Sequence, residues 1–362
     1  MIGILLALTS EKQLINLARP YERKELLAMR KGSLFYCPGC NAPVRLKVGE
    51  IKIPHFAHET RSLCETYSEP ESTMHLQGKS LLHQFFTRKN FSVELEKYLP
   101  PIRQRADLLV EGQTAVEFQC SQLPAEHIRS RTEGYNSLGI QTIWINGLQE
   151  TINEGIQLLT LPAWKQEVLK KQKNRTYLIG FQPEQDRFYY CSNLLYVSGN
   201  RWIGKVKSLS ASKQVFPFAV PKRLTFSEFT TAYTFFLQAR KKFIKAQFYP
   251  GNKFRNPYWR SCYELKLDPS DLPLAIGVPV PNAQAIPLHA VLWQLQVLEA
   301  ADKGSSFSSR IHLKQSLARF DWTPEAESLA AAYVEIYHSL KSVKENTDEF
   351  LETLYRIYCK YL

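Results

Sequence analysis

IRQRADLLVEGQTAVEFQC, residues Ile102–Cys120, reads as a short β-hairpin. Arg105–Val110 and Thr114–Cys120 are apolar-rich runs joined at Glu111-Gly112-Gln113, a turn centred on glycine. Symmetry about Gly112 sets Asp107 opposite Glu117. Side chains alternate faces along a strand, so Glu117 and Gln119 share one face while Val116 and Phe118 take the other. A carboxylate pair on adjacent strands, followed two residues later by a long polar side chain, can hold a divalent metal and aim a water. That is the pattern of a nuclease centre. The plainer reading is an exposed cross-strand pair, but like charges directly opposite cost about 0.2–1 kcal/mol unless a cation compensates.

The neighbours fit such a centre. Ser68-Glu-Pro-Glu71 has capping-box spacing and opens a helix to about Lys89, with Met74, Leu81, Leu82, Phe85 and Phe86 on its buried side. Glu71, His75 and Lys79 recur every fourth residue as one polar stripe, either solvated or turned towards the hairpin. Phe91–Leu99 reads as a strand, Pro124 opens a helix carrying Arg129 and Arg131, and Gln141–Ile145 is a further strand. The order helix, strand, strand, strand, helix, strand gives a small mixed sheet with helices on its faces.

Upstream, Cys37-Pro-Gly-Cys40 sets two thiolates on one tight turn, and fourteen residues separate Cys40 from His55-Phe-Ala-His58. The intervening Val44–Ile53 reads as a hairpin. The pattern fits structural tetrahedral zinc, with Cys37, Cys40, His55, His58 and Cys64 as candidates for four positions. Two residues separate the histidines, fewer than the usual three to five, so the choice between them stays open. Before the knuckle, Ile2–Leu8 reads as a strand and Tyr21–Met29 as an exposed helix.

The 362 residues carry a net charge of +12 and seven cysteines, with 44% hydrophobic content. An odd, sparse set of cysteines suits a reducing cytoplasm with metal-bound or free thiols. No apolar run reaches the 18 residues a membrane span needs. The charge is localised: Arg201–Lys266 holds fourteen Lys/Arg and two acids, and the remainder of the chain is neutral. There Arg240, Lys241, Lys242 and Lys245 lie on a predicted helix, with Tyr258, Trp259 and Arg260 beyond it. Basic residues among aromatics suit a polyanion, and rings that can stack on unpaired bases favour single-stranded DNA. Trp164–Arg175 reads as a basic helical linker, Pro273–Pro287 as a proline-rich boundary, and the tail as helices over Leu292–Leu298, Leu329–Leu340 and Phe350–Tyr358.

Taken together, the Cys-Pro-x-Cys knuckle, the His-Phe-Ala-His element, the helix bearing Ser72, His75 and Lys79, and the Arg-x-Asp…Glu-Phe-Gln hairpin resemble the competence protein CoiA family over roughly residues 1–150. The resemblance implies a restriction-endonuclease-like, PD-(D/E)xK-type core acting on incoming DNA during natural transformation and promoting its recombination. Its implied setting is the cytoplasm, beside the recombinase and other competence proteins. One departure matters: the superfamily pattern ends Glu-x-Lys, and here it ends Glu117-Phe118-Gln119. Either Gln119 only orients the water, or Lys79 supplies the missing charge.

The expected fold is therefore mixed α+β: a zinc-binding module at 1–66, a nuclease core with a mixed sheet at 67–157, a linker and basic aromatic region at 158–272, and a helical region at 273–362. The expected chemistry is phosphodiester hydrolysis with Mg2+ or Mn2+ held by Asp107, Glu117 and the Phe118 carbonyl. Gln119 would hold the water, Glu71 the outer metal shell, and His75 and Lys79 phosphate or a proton. Arg129 and Arg131 would fix the DNA backbone. The competing expectation is a non-catalytic DNA-binding scaffold on a decayed nuclease core.

Overall fold

The computed structural model describes residues 3–50, 52–58, 72–172, 175–249, 251–302, 323–345 and 347–361. Cys64, Glu71 and the Ser68–Glu71 capping box lie outside them.

The N-terminal module comprises β1 (Gly3–Ile4), β2 (Leu6–Thr9), β3 (Leu14–Asn16), α1 (Arg23–Gly32), β4 (Phe35–Tyr36), β5 (Pro43–Lys47) and β6 (His55–His58). Its sheet is antiparallel in the order β1-β6-β5-β4-β2-β3. The single strand expected over Ile2–Leu8 is interrupted at Leu5, whose N–H leaves the sheet and donates to Glu96 Oε1 at 3.2 Å. The hairpin between the knuckle and the histidines forms as β5 and β6, with Val44 opposite His58 and Lys47 opposite His55.

A larger sheet follows. Its elements are α2 (Thr73–Arg88), β7 (Val93–Leu99), β8 (Gln104–Val110), β9 (Thr114–Gln119), α3 (Ala125–Ser137), β10 (Gln141–Gly147), β11 (Gly155–Thr160), α4 (Ala163–Glu167), β12 (Lys170–Gln172), β13 (Arg175–Gln182), β14 (Arg187–Ser198) and β15 (Arg201–Ser210). The strand order is β11-β15-β14-β13-β10-β9-β8-β7, with β12 paired to β13. β10 runs parallel to both β9 and β13, and the other pairs are antiparallel. The β8–β9 register is symmetric about Gly112, with Val110 opposite Thr114 and Leu108 opposite Val116. Glu111 and Gly112 take φ of +53° and +65°, the left-handed geometry that matches a tight hairpin to strand twist.

The linker reading does not hold. Where a basic helix was expected over Trp164–Arg175, α4 ends at Glu167 and the chain re-enters the sheet as β12 and β13. The boundary expected at 157/158 falls inside one hydrogen-bonded sheet. Lysines at 170 and 171 lie on a short edge strand, where charge discourages further pairing.

Alternation along the strands builds two large cores, beside a small cluster of Ala106, Leu109, Ala115, Tyr135 and Ile140. Val116, Phe118, Tyr177, Ile179 and Phe188 join Leu76, Phe85 and Phe86 of α2 and the apolar residues of the N-terminal module. On the other face, Leu178, Tyr189 and Cys191 join Trp202 and the C-terminal helices: α5 (Phe226–Ala246), α6 (Pro257–Glu264), α7 (Ala290–Asp302), α8 (Pro324–Lys341) and α9 (Asp348–Tyr361). The helical tail is thus one layer of a shared core. α2 crosses β9 closely because residue 78 is glycine: a Cβ there would lie 1.9 Å from Phe118 Cε1.

Candidate active site and metal centre

Three elements, α2, β7 and α3, bring side chains to the hairpin. Ser72 caps α2, its Oγ accepting the His75 N–H at 3.1 Å. Four residues apart on that helix, His75 and Lys79 share one face and turn inward together. These two residues of the polar stripe turn towards the hairpin, and Lys79 is only 1% exposed. His75 Nε2 lies 3.3 Å from Asp107 Oδ2, and Lys79 Nζ 4.0 Å from Asp107 Oδ1.

Between β8 and β9 the backbone ladder runs as far as Leu108–Val116. One step on, the Asp107 carboxylate takes the Phe118 N–H at 2.8 Å in place of a main-chain carbonyl. Burial pushes the Asp107 carboxyl up, but His75, Lys79 and this N–H outweigh it and hold the group well below the usual carboxylate range.

Glu117 turns towards α3, on the face where Ala115 meets Tyr135. Both of its oxygens lie 2.8 Å from Arg131 Nη2, and Tyr135 donates its hydroxyl to Oε1. Burial pushes Glu117 up; Arg131 opposes this and the charge on Asp107 adds to it. The two carboxyls are thus shifted in opposite directions by what surrounds them. Gln119 is buried and donates its amide to Ser121 O at 2.8 Å and Ser121 Oγ at 3.3 Å.

Arg131 was expected on DNA phosphates; its guanidinium instead neutralises Glu117. Tyr135 and Glu96 were not foreseen. Tyr135 was legible in principle, since it lies four residues after Arg131 and so shares its helix face. Glu96 was not, because its place depends on how β7 pairs. Leu95 lies opposite Leu108 and Lys97 opposite Ala106, which sets Glu96 level with Asp107. Glu96 takes φ of +49°, a left-handed conformation costing a non-glycine residue roughly 1–2 kcal/mol. Such an outlier inside a strand marks a constrained site.

In the N-terminal module, Cys37, Cys40 and His58 bring their ligand atoms within 4.8 Å of one another, with Cys40 Sγ 3.4 Å from His58 Nε2. The Gly39 N–H points at Cys37 Sγ at 3.3 Å, as suits a thiolate. Two thiolates and an imidazole are a donor set for zinc. His55 is not part of this cluster: its Nδ1 sits 2.9 Å from Ile53 O. Period-two alternation explains the difference, since strand residues three apart point to opposite faces.

The expected nucleic-acid residues divide. Lys241, Lys242, Lys245 and Arg260 are exposed, and Arg129 is exposed while pairing with Glu167 at 2.5 Å. Arg240 is buried, its guanidinium donating to the carbonyls of Ile276, Leu272 and Pro273. Tyr258 is fully buried with its hydroxyl on Pro269 O at 2.5 Å, and Trp259 is half-buried, its Nε1 on Gln247 O at 2.8 Å. Among the described residues, the exposed rings nearby are Phe248, Tyr249 and Tyr263. Lys253 Nζ lies 4.4 Å from the centre of the Trp259 ring. Among the described residues, no helix is long and apolar enough to cross a membrane.

Two family models and one curated protein match the chain. Residues 18–67 match the model of the competence protein CoiA N-terminal domain, and residues 71–223 that of the competence protein CoiA nuclease-like domain. The second match extends through β15, as the sheet does. The chain is also similar to the competence protein CoiA of Bacillus subtilis (strain 168), with 29% identity over 269 residues, 72% of this chain and 70% of that one. No solved structure matches.

Proposed function

The chain belongs to the competence protein CoiA family, and from that premise we propose that it is a metal-dependent deoxyribonuclease of PD-(D/E)xK type, acting on imported DNA in the cytoplasm. The observation that carries this reading is the placing of Asp107 and Glu117 on adjacent strands, with His75 and Lys79 brought to the first and Arg131 to the second. Asp107, Glu117 and the Phe118 carbonyl offer hard oxygen donors of the kind Mg2+ or Mn2+ takes. The ion would supply Lewis acidity towards a phosphate oxygen and a more acidic water. Lys79 and His75 keep Asp107 ionised. Arg131 and Tyr135 hold Glu117 oriented until a cation competes for it. Gln119, anchored on Ser121, fixes the β9 terminus and leaves Lys79 as the ammonium nearest the pair. Cys37, Cys40 and His58 would hold zinc, with Cys64 the remaining candidate for the fourth position.

The exposed lysines of α5, with Tyr249, Tyr263 and Arg260, are the surface proposed to receive single-stranded DNA. By this reading the protein works beside the recombinase that handles the imported strand.

One observation favours the scaffold reading: each carboxylate already has an internal cation, Arg131 on Glu117 and Lys79 near Asp107. The deciding experiment incubates the purified chain with labelled single- and double-stranded DNA in Mg2+, Mn2+ or chelator, beside Asp107→Ala. Metal-dependent cleavage lost in the variant supports the nuclease. Binding without cleavage, unchanged in the variant, leaves the scaffold.

A further inference from the structure

Glu96 joins the N-terminal module to the carboxylate centre. One oxygen, Oε1, accepts both the Lys79 ammonium at 2.7 Å and the backbone N–H of Leu5 at 3.2 Å. Glu96 and Lys79 are both essentially buried, at 2% and 1% exposure, as is Leu5. The geometry is held from its other side too, since Arg105 Nη1 donates to the Glu96 carbonyl at 2.7 Å. Lys79 then reaches Asp107 Oδ1 at 4.0 Å. A continuous line of polar contacts thus runs from the break between β1 and β2, through Glu96 and Lys79, to Asp107.

We infer that Glu96 is a positioning residue, which fixes the Lys79 ammonium beside Asp107, and that docking of the N-terminal module through Leu5 is a working part of the centre. The inference rests on the nuclease reading for its kinetic consequence, though not for the contact itself. Three features carry it. A lysine ammonium at the end of a four-carbon stem has many rotamers, and a buried carboxylate selects one. The left-handed φ of Glu96 brings its carboxylate to that ammonium, a conformation the strand would not adopt unaided. The module has independent contacts with the same helix that carries Lys79: Asn16 Nδ2 lies 3.4 Å from His83 Nε2, and Gln84 donates to Ala18 O at 3.1 Å. Losing the Leu5 contact therefore need not undock the module, so the two effects are separable.

The substitution of glutamine for the superfamily lysine at position 119 gives this arrangement its purpose. An ammonium delivered from α2 has no strand geometry to fix it, and Glu96 provides the missing constraint. A displacement of about 1 Å at a reacting centre lowers rate by about 10²-fold.

The test uses the full chain as wild type, Glu96→Gln, Glu96→Ala, Lys79→Met and the Glu96→Gln/Lys79→Met double variant. Glu96→Gln keeps an acceptor for Leu5 while removing the charge that holds Lys79. Cleavage at saturating DNA should fall by about 10²-fold in Glu96→Gln, with KM moved less than about twofold. The double variant should be no slower than Lys79→Met alone, because both changes act through one ammonium. Amide exchange over residues 3–9 should speed up in Glu96→Ala and stay slow in Glu96→Gln, with α3 unchanged in both. Multiplying losses in the double variant, or exchange at residues 3–9 unaffected by Glu96→Ala, would overturn the inference. If the wild type cleaves under no divalent ion, the nuclease reading falls, and the exchange measurement alone decides whether Glu96 couples the module to the centre.

Discussion

A single guanidinium nitrogen of Arg131 lies 2.8 Å from both carboxylate oxygens of Glu117. The pair joins α3 to β9 beneath the hairpin, and it makes Glu117 the more enclosed of the two carboxylates. Removing one partner strands the other. Arg131→Met should destabilise the protein by about 3 kcal/mol, the lower end for a buried pair because Arg131 is 31% exposed. The adding back of neutrality by Glu117→Gln in the same chain should recover most of the loss. Urea midpoints of the two single variants and the double read this directly; additive losses would count against the pair.

α2 approaches β9 only because Gly78 lacks a side chain. In Gly78→Ala the new methyl would meet Phe118 at 1.9 Å, and the helix must shift away. Overpacking of this kind costs about 1–3 kcal/mol. Because the same helix carries His75 and Lys79, cleavage should fall further than thermal stability does. A variant that melts lower while cleaving normally would separate the helix from the centre.

The chain should bind one zinc ion through its N-terminal module. Cys37→Ser and His58→Ala should each abolish binding and loosen that module, since structural zinc contributes folding energy. His55→Ala should leave the metal content unchanged. Elemental analysis of the three variants decides it, and zinc lost in His55→Ala would overturn the ligand assignment.

On the basic face, charge and rings should contribute differently. Replacing Lys241, Lys242 or Lys245 by glutamine should weaken DNA binding uniformly and lower the salt slope by about one each. Tyr249→Ala and Tyr263→Ala should cost about 1–3 kcal/mol per stacked base on single strands. Arg240→Ala should act on the melting temperature instead, since three carbonyls lose their donor. Fluorescence anisotropy across a salt series measures the first two effects.

His289 gives the fold a pH dependence away from the centre. Burial lowers it to about 4, assisted by Arg201. Its ring stacks on Phe243 at 4.0 Å, and its Nδ1 accepts the Val291 N–H at 3.2 Å, so a second proton has no room there. The unfolded chain binds that proton near the ordinary value of 6.5. Between those values the unfolded state holds more protons, so this contribution is complete above 6.5 and falls away as pH drops towards 4. It amounts to at most about 3 kcal/mol. His289→Phe should flatten the stability profile over that interval; an unchanged slope would remove His289 as its source.

Much of the architecture was legible in the chain itself. The hairpin symmetric about Gly112, the order of α2 through β10, the Cys37–Cys40 turn and the helices of the tail all follow from period-two or period-3.6 patterning and from turn residues. Those signals act over a few residues and survive without knowledge of the rest. They also set Asp107 level with Glu117. Tertiary structure alone decided which groups surround that pair. Leu5 and Glu96 meet across 91 residues of sequence, and Arg240 meets carbonyls more than 30 residues away. Whether a long charged side chain points to solvent or into the core depends on what the fold brings to its tip, and no local pattern encodes that. For the same reason Arg131 became the counter-ion of Glu117, Tyr258 sank into the core, and the basic stretch after Leu161 joined the sheet.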